Sequence, residues 1–196
     1  AGTYGADVVL QLAKLVGTFI LGVAIQLIVV YGGVIFFLLR HNPIIFFKNI
    51  ASAMMVAFST SSSAATLPVT MEVTQRKLGV SRGTSSFLLP IGSTVNMDGS
   101  AMYQGIVVMF VAQAAGVDLS LAQFMMALLV VTLSSIGAAS VPSSGLIMLT
   151  MVLSIVGLPI EAVALIAGID RILDSFRTMV NVSGDCMVSM AIDISE

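Results

Sequence analysis

The chain has 196 residues, 58% of them hydrophobic and 9% charged, with a formal net charge of −2. A water-soluble domain carries about 25% charged residues, so this sequence suits a membrane interior rather than water. The absence of a basic run leaves nucleic acid without a footing, and a lone cysteine, Cys186, excludes an internal disulfide.

Residues 1–7 carry neither an initiator Met nor the basic start of a signal peptide, so the chain is expected to begin inside a longer protein. Residues 4–40 then form the first transmembrane helix. Its 25 residues from 15 to 39 are uncharged and extend roughly 37 Å as a helix, enough to span a bilayer with some tilt. Residues 42–72 are apolar but interrupted by the run STSSSAATLP at 59–68. Pro68 predicts a helix break there, with each half too short to cross.

Residues 83–116 form a second transmembrane helix, broken by Asn96, Met97, Asp98 and Gly99. Residues 119–160 repeat the earlier interruption on a larger scale, with 42 uncharged residues around the run SSIGAASVPSSG at 134–145. Each arm is about 22 Å long as a helix, too short for two full spans. Both interrupted stretches are therefore expected to be re-entrant hairpins, whose irregular tips survive only inside protein or a watery cavity.

Loop charges agree with this topology. Arg40 and Lys48 precede the first hairpin, and Arg76, Lys77 and Arg82 follow it. Both groups belong in the cytoplasm if that hairpin enters and leaves on one side. The loops at Asp118 and Glu161 have no basic residue, which suits the outer side. Serine-rich hairpin plus broken helix, met twice from opposite faces, is the pattern of an inverted repeat with a site at the membrane midplane.

The last helix, residues 161–191, carries Asp170, Asp174, Arg177, Asn181 and Asp185. At 100° per residue they fall within an arc of about 80°. One central charge facing lipid costs roughly 2.5–3.5 kcal/mol, so a face with four must turn inward. A ladder that merely glues helices is the structural alternative, with Asp174 and Arg177 paired at i,i+3. The functional reading is a solute site. Arginine grips a carboxylate with a planar fork, Asp174 can take an ammonium group, and Asp185 and Asn181 offer hard oxygens to small cations. Asp98 adds a further charge on the broken helix, and half-helix N-termini at the serine tips suit an anionic group.

Four motifs now stand in order: Ser61-Ser62-Ser63-Ala64-Ala65-Thr66-Leu67-Pro68; Asn96-Met97-Asp98-Gly99; Ser135-Ile136-Gly137-Ala138-Ala139 with Val141-Pro142; and the segment DSFRTMVNVSGD at 174–185. In this order and spacing they resemble the sodium-coupled dicarboxylate and excitatory amino acid (glutamate/aspartate) transporters, from about residue 4 to the end. The resemblance implies an all-α membrane protein, a partial elevator-type glutamate transporter fold with two inverted re-entrant hairpins. Its outer hairpin would be a gate, moving against a homotrimeric scaffold whose helices would precede residue 4. The chain would then be most of a mobile transport domain in a multi-pass cell-membrane protein bathed in lipid.

The resemblance also implies roles. The substrate's side-chain carboxylate would meet Arg177 and Ser100, its amino group Asp174, and its main-chain carboxylate Ser63, the Ser61 backbone and Asn181. Thr178, Val141 and Gly145 would complete the pocket. One sodium ion would use Asp185 with carbonyls of Gly92, Asn96 and Asn181. A second would use carbonyls of Thr94, Ser135, Ile136 and Ala138. A third would use Asp98, Asn96 and groups from an earlier helix. Relatives often have serine at Ala64 and glycine at Ser140 and Ser143, and some have arginine at Ser61.

The expected function is symport of glutamate or aspartate with sodium, with or without protons. A C4-dicarboxylate symporter also needs the cationic clamp and is the alternative. A channel fits less well, because paired hairpin tips suggest an occluded site. An intramembrane aspartyl protease fails: Arg177 beside Asp174 keeps that carboxylate ionised, whereas a catalytic pair must share a proton. The chain is not expected to be an enzyme.

Overall fold

The computed structural model describes residues 2–136 and 140–195, with side chains from Val8 onward. Every element among the described residues is helical. Helix α1 (Gly2–Ala24) continues as π-helix over Ile25–Tyr31 and Val34–Leu38. There follow α2 (Pro43–Thr60), α3 (Ser63–Arg76), α4 (Arg82–Val95), α5 (Asp98–Ala114), α6 (Leu121–Ile136), α7 (Ser144–Val156) and α8 (Ala162–Ser195).

Local chemistry sets the boundaries. Pro43 stands at the start of α2 with its fixed φ, and the Asn42 side-chain Oδ1 accepts the N–H groups of Ile44 and Ile45 at 2.9 and 3.4 Å. At the far end Ser61 turns left-handed (φ 51°), Ser62 is extended, and the Ser62 hydroxyl accepts the Ala65 N–H at 3.1 Å. Two serines thus end one helix and cap the next. The break expected near Pro68 lies instead at Ser61 and Ser62, because the caps are there. Pro68 sits inside α3 and forfeits only the bond its own N–H would have made to Ala64.

The first arm also runs longer than expected. Helix α2 has 18 residues, about 27 Å, so its length alone does not keep it from crossing. The arms α6 and α7 are 16 and 13 residues long. Two helical stretches, Val8–Leu38 and Pro43–Thr60, are long and apolar enough to span a membrane. The first is not the plain α-helix expected, since its second half is π-helical.

Helix α8 forms the centre and packs against α1, α2, α3, α4, α5 and α7. The interior is unusually polar. Asp170, Asp174, Arg177 and Asp185 on α8 are only 2–4% exposed, while Phe37, Ile44 and Leu121 are 74–78% exposed. Water would penalise that arrangement at both surfaces; an apolar environment favours it. Close approach to α8 relies on small residues. A Cβ on Gly99 would stand 3.1 Å from the Arg177 carbonyl carbon and Cα, and the Gly99 N–H donates to the Asn181 carboxamide at 2.7 Å.

The Gly99→Ala variant should therefore lose roughly 1–3 kcal/mol of stability as α5 is pushed off α8. Thermal unfolding in detergent reads this as a clear fall in Tm, and an unchanged Tm would show that the α5–α8 contact yields freely.

Candidate functional site

The charged face of α8 looks onto the two serine-rich tips. Asp174 and Arg177 form a buried, hydrogen-bonded ion pair one turn apart. The other Asp174 oxygen accepts the Ser143 N–H at 2.8 Å, tying the tip that precedes α7 to α8. The Arg177 guanidinium lies 4.8 Å from the centre of the Tyr103 ring, a cation–π contact. The Tyr103 hydroxyl donates to Asp170 at 3.1 Å. Gly145 has no Cβ where one would overlap the guanidinium.

That arrangement leaves one donor over. Among the described residues, Arg177 Nη1 is buried without a hydrogen-bond partner. Beside it lies a polar pocket whose walls include Ser61 and Ser63 from the first tip and Val141 from the second. Ser100 on α5 joins Asp174, Arg177, Thr178 and Asn181 on α8 to close it. The structure therefore brings together the residues expected to hold a substrate, with Gly145 alongside through Arg177. The free volume is about 10 Å³, room for about one water. The Asp174–Arg177 pair forms part of the pocket wall.

The tips touch each other as well as α8. The Ser62 hydroxyl donates to the Ser140 carbonyl at 2.6 Å, and the Ser140 hydroxyl donates to the Ser93 carbonyl on α4. Ser61 and Ser175 share a hydroxyl–hydroxyl bond at 3.1 Å. Asn181 bridges α8 to the start of α5, accepting from Gly99 and approaching Ser100 and Met97 through its amide nitrogen.

The expected cation groups gather lower on α8. Asn96 donates to Asp185 at 3.0 Å, and a Cβ on Gly92 would lie 2.6 Å from the same carboxylate oxygen. Asp185 therefore presses against the last turn of α4, where the Gly92 carbonyl accepts the Asn96 N–H at 2.8 Å. Asp98 opens α5 and accepts from the Tyr31 hydroxyl at 2.7 Å. Among the described residues no three His, Cys, Asp or Glu side chains cluster as a transition-metal site would. The Asp185 carboxylate is met instead by the Asn96 amide nitrogen.

Thr94 and Ser135 turn their hydroxyls onto Ile91 and Thr132. With Ile136 they occupy the last turns of α4 and α6, so what they offer a cation is terminal carbonyls. Ala138 lies outside the described residues.

Sequence reasoning missed Met97, Ser140 and Ser144, which also line the pocket, and the two tyrosines. Tyr103 follows Ser100 by three residues on the same helix face, a usable signal. Tyr31 is a lone phenol in an apolar run, a weaker one. A larger groove of about 980 Å³ runs between α1, α5 and α6, with mostly apolar walls and Lys14 at its edge. None of the expected site residues lines it.

The sequence also has relatives among known proteins. The chain is 43% identical over 182 residues to an excitatory amino acid transporter of Caenorhabditis elegans, covering 93% of this chain and 36% of that protein. It is 44% identical over 175 residues to mouse excitatory amino acid transporter 3, covering 89% and 34%. Against human excitatory amino acid transporter 2 the identity is 42% over 178 residues, covering 88% and 31%. These relatives are transporters, not enzymes, and the chain spans about a third of their length. The model of the sodium:dicarboxylate symporter family matches residues 1–195, and the chain belongs to that family.

Proposed function

We propose that this chain is the substrate-holding part of a membrane symporter that moves glutamate or aspartate together with sodium. The observation that carries the reading is the buried Arg177, paired with Asp174 and keeping Nη1 unspent beside the serine tips. An acidic amino acid offers both charges that this pair now supplies to itself. Its side-chain carboxylate takes Arg177, assisted by Ser100, and its ammonium takes Asp174. Ser63, the Ser61 backbone and Asn181 hold the main-chain carboxylate, with Thr178, Val141 and Gly145 around it. Binding thus exchanges one ion pair for two, which keeps both buried charges compensated.

Sodium is the co-substrate. Asp185 with Gly92, Asn96 and Asn181 would hold one ion, and Thr94, Ser135, Ile136 and Ala138 a second. Asp98 with Asn96 would begin a third. A cation near Asp185 neutralises a carboxylate that is otherwise buried alone with Asn96. A proton in place of one sodium ion is the variant of this reading, separated from it by whether uptake follows sodium or pH.

The polar interior and apolar exterior support a multi-pass place in a cell membrane, in contact with lipid. The meeting of the two tips at mid-α8 supports re-entrant hairpins over 42–72 and 119–160. The segments 4–40, 83–116 and 161–191 then form the helices around them. Release of the Ser143–Asp174 bond would open the outer hairpin as a gate. The whole unit would move elevator-fashion against a trimeric scaffold that this chain does not supply.

Arg177→Ala should abolish uptake of acidic amino acids, by at least about 100-fold in affinity for a lost charge-assisted clamp, while sodium binding stays measurable. Retained aspartate affinity would overturn the assignment. Gly145→Ala should depress the same affinity by displacing the guanidinium, with sodium binding again preserved in a direct assay. Competition decides the cargo: aspartate should displace labelled substrate better than succinate, which has no ammonium for Asp174. The reverse order would make the protein a C4-dicarboxylate symporter.

A further inference from the structure

Tyr31 takes no part in the pocket or in the ion roles above, yet its surroundings are built around it. It is 1% exposed, and its hydroxyl donates to Asp98 at 2.7 Å with the Val180 carbonyl 3.4 Å away. A Cβ on Gly184 would lie 2.6 Å from that hydroxyl and 2.8 Å from the Asn96 amide. Only the bare backbone of α8 leaves room for both groups.

The backbone of the first helix is arranged for the same contact. Tyr31 closes the π-helical turn Ile25–Tyr31. Short π-helical turns of this kind recur at functional sites.

We propose that Tyr31 is a positioning residue for the cation site at Asp98, its phenol fixing the carboxylate from α1 while Gly184 leaves the space for it. The phenol engages Oδ2, and Oδ1 makes no hydrogen bond among the described residues. One oxygen is therefore held and the other is left to a cation. Asn96, which shares the Gly184 recess, hydrogen-bonds Asp185 on the other side. Tyr31 thereby sets one wall of a cluster that reaches both carboxylates. This inference rests on the sodium-coupled reading above.

The test uses the intact protein in sealed vesicles, with labelled aspartate as probe and sodium as the varied ion. Tyr31→Phe keeps the ring and removes the hydroxyl. It should raise the sodium concentration for half-maximal uptake by about tenfold, the scale of a lost hydrogen bond to a charged group. Aspartate affinity at saturating sodium should stay within about twofold. Gly184→Ala, which crowds the same hydroxyl and Asn96, should give the same selective shift and serves if Tyr31→Phe does not assemble. A shift equal in both parameters, or none, overturns the role of Tyr31. Sodium-independent uptake by the unaltered protein would instead overturn the symport reading.

Discussion

The ion pair between Asp174 and Arg177 is the constraint around which the rest of the protein is arranged. Two opposite charges held away from water are stable only when hydrogen bonds and polarisable neighbours replace the lost solvent. Here the Ser143 N–H completes Asp174 and the Tyr103 ring supports Arg177. Gly99 and Gly145 let backbone come close enough to seal the pair. The seal is incomplete at Nη1. On the proposed reading, a buried arginine with a spare donor is a site prepared for an anion rather than a finished structural bridge.

That preparation explains the polar interior. The serines at 61–63 and at 140–144 are poor helix formers, yet each tip uses them where the helix must stop. Ser62 caps α3 and then reaches Ser140 on the other tip. The same hydroxyl chemistry ends helices and joins hairpins. The Ser143 N–H meets Asp174 and the Ser140 carbonyl meets Ser62, so the closed tips and the pocket form together.

Much of this was legible in the residues because charge in an apolar chain has few places to go. The face made by Asp170, Asp174, Arg177, Asn181 and Asp185 could be assigned inward from the helical period and desolvation cost alone. The serine clusters announced interruptions, and Asn96 to Gly99 a broken helix. Other features were hidden. The position of the first break depended on which serine adopts a left-handed turn, and proline drew attention six residues too far along. The π-helical turns carry no compositional mark, since Ile25–Tyr31 reads as ordinary apolar helix. Tyr31 and Tyr103 act through single hydroxyls and a ring face, and the fold alone decides what those meet.

Helix α8 runs unbroken for 34 residues. Asp174 and Arg177, assigned to solute, and Asp185, assigned to a cation, therefore share one rod, and the rise from Asp174 to Asp185 is about 16 Å. A continuous helix holds that separation by its own backbone hydrogen bonds. Any communication between solute and ions must pass through the parts that close on the rod from the side: the serine tips, the last turn of α4 and the start of α5. Cooperativity in such a molecule belongs to its breaks rather than to its longest helix.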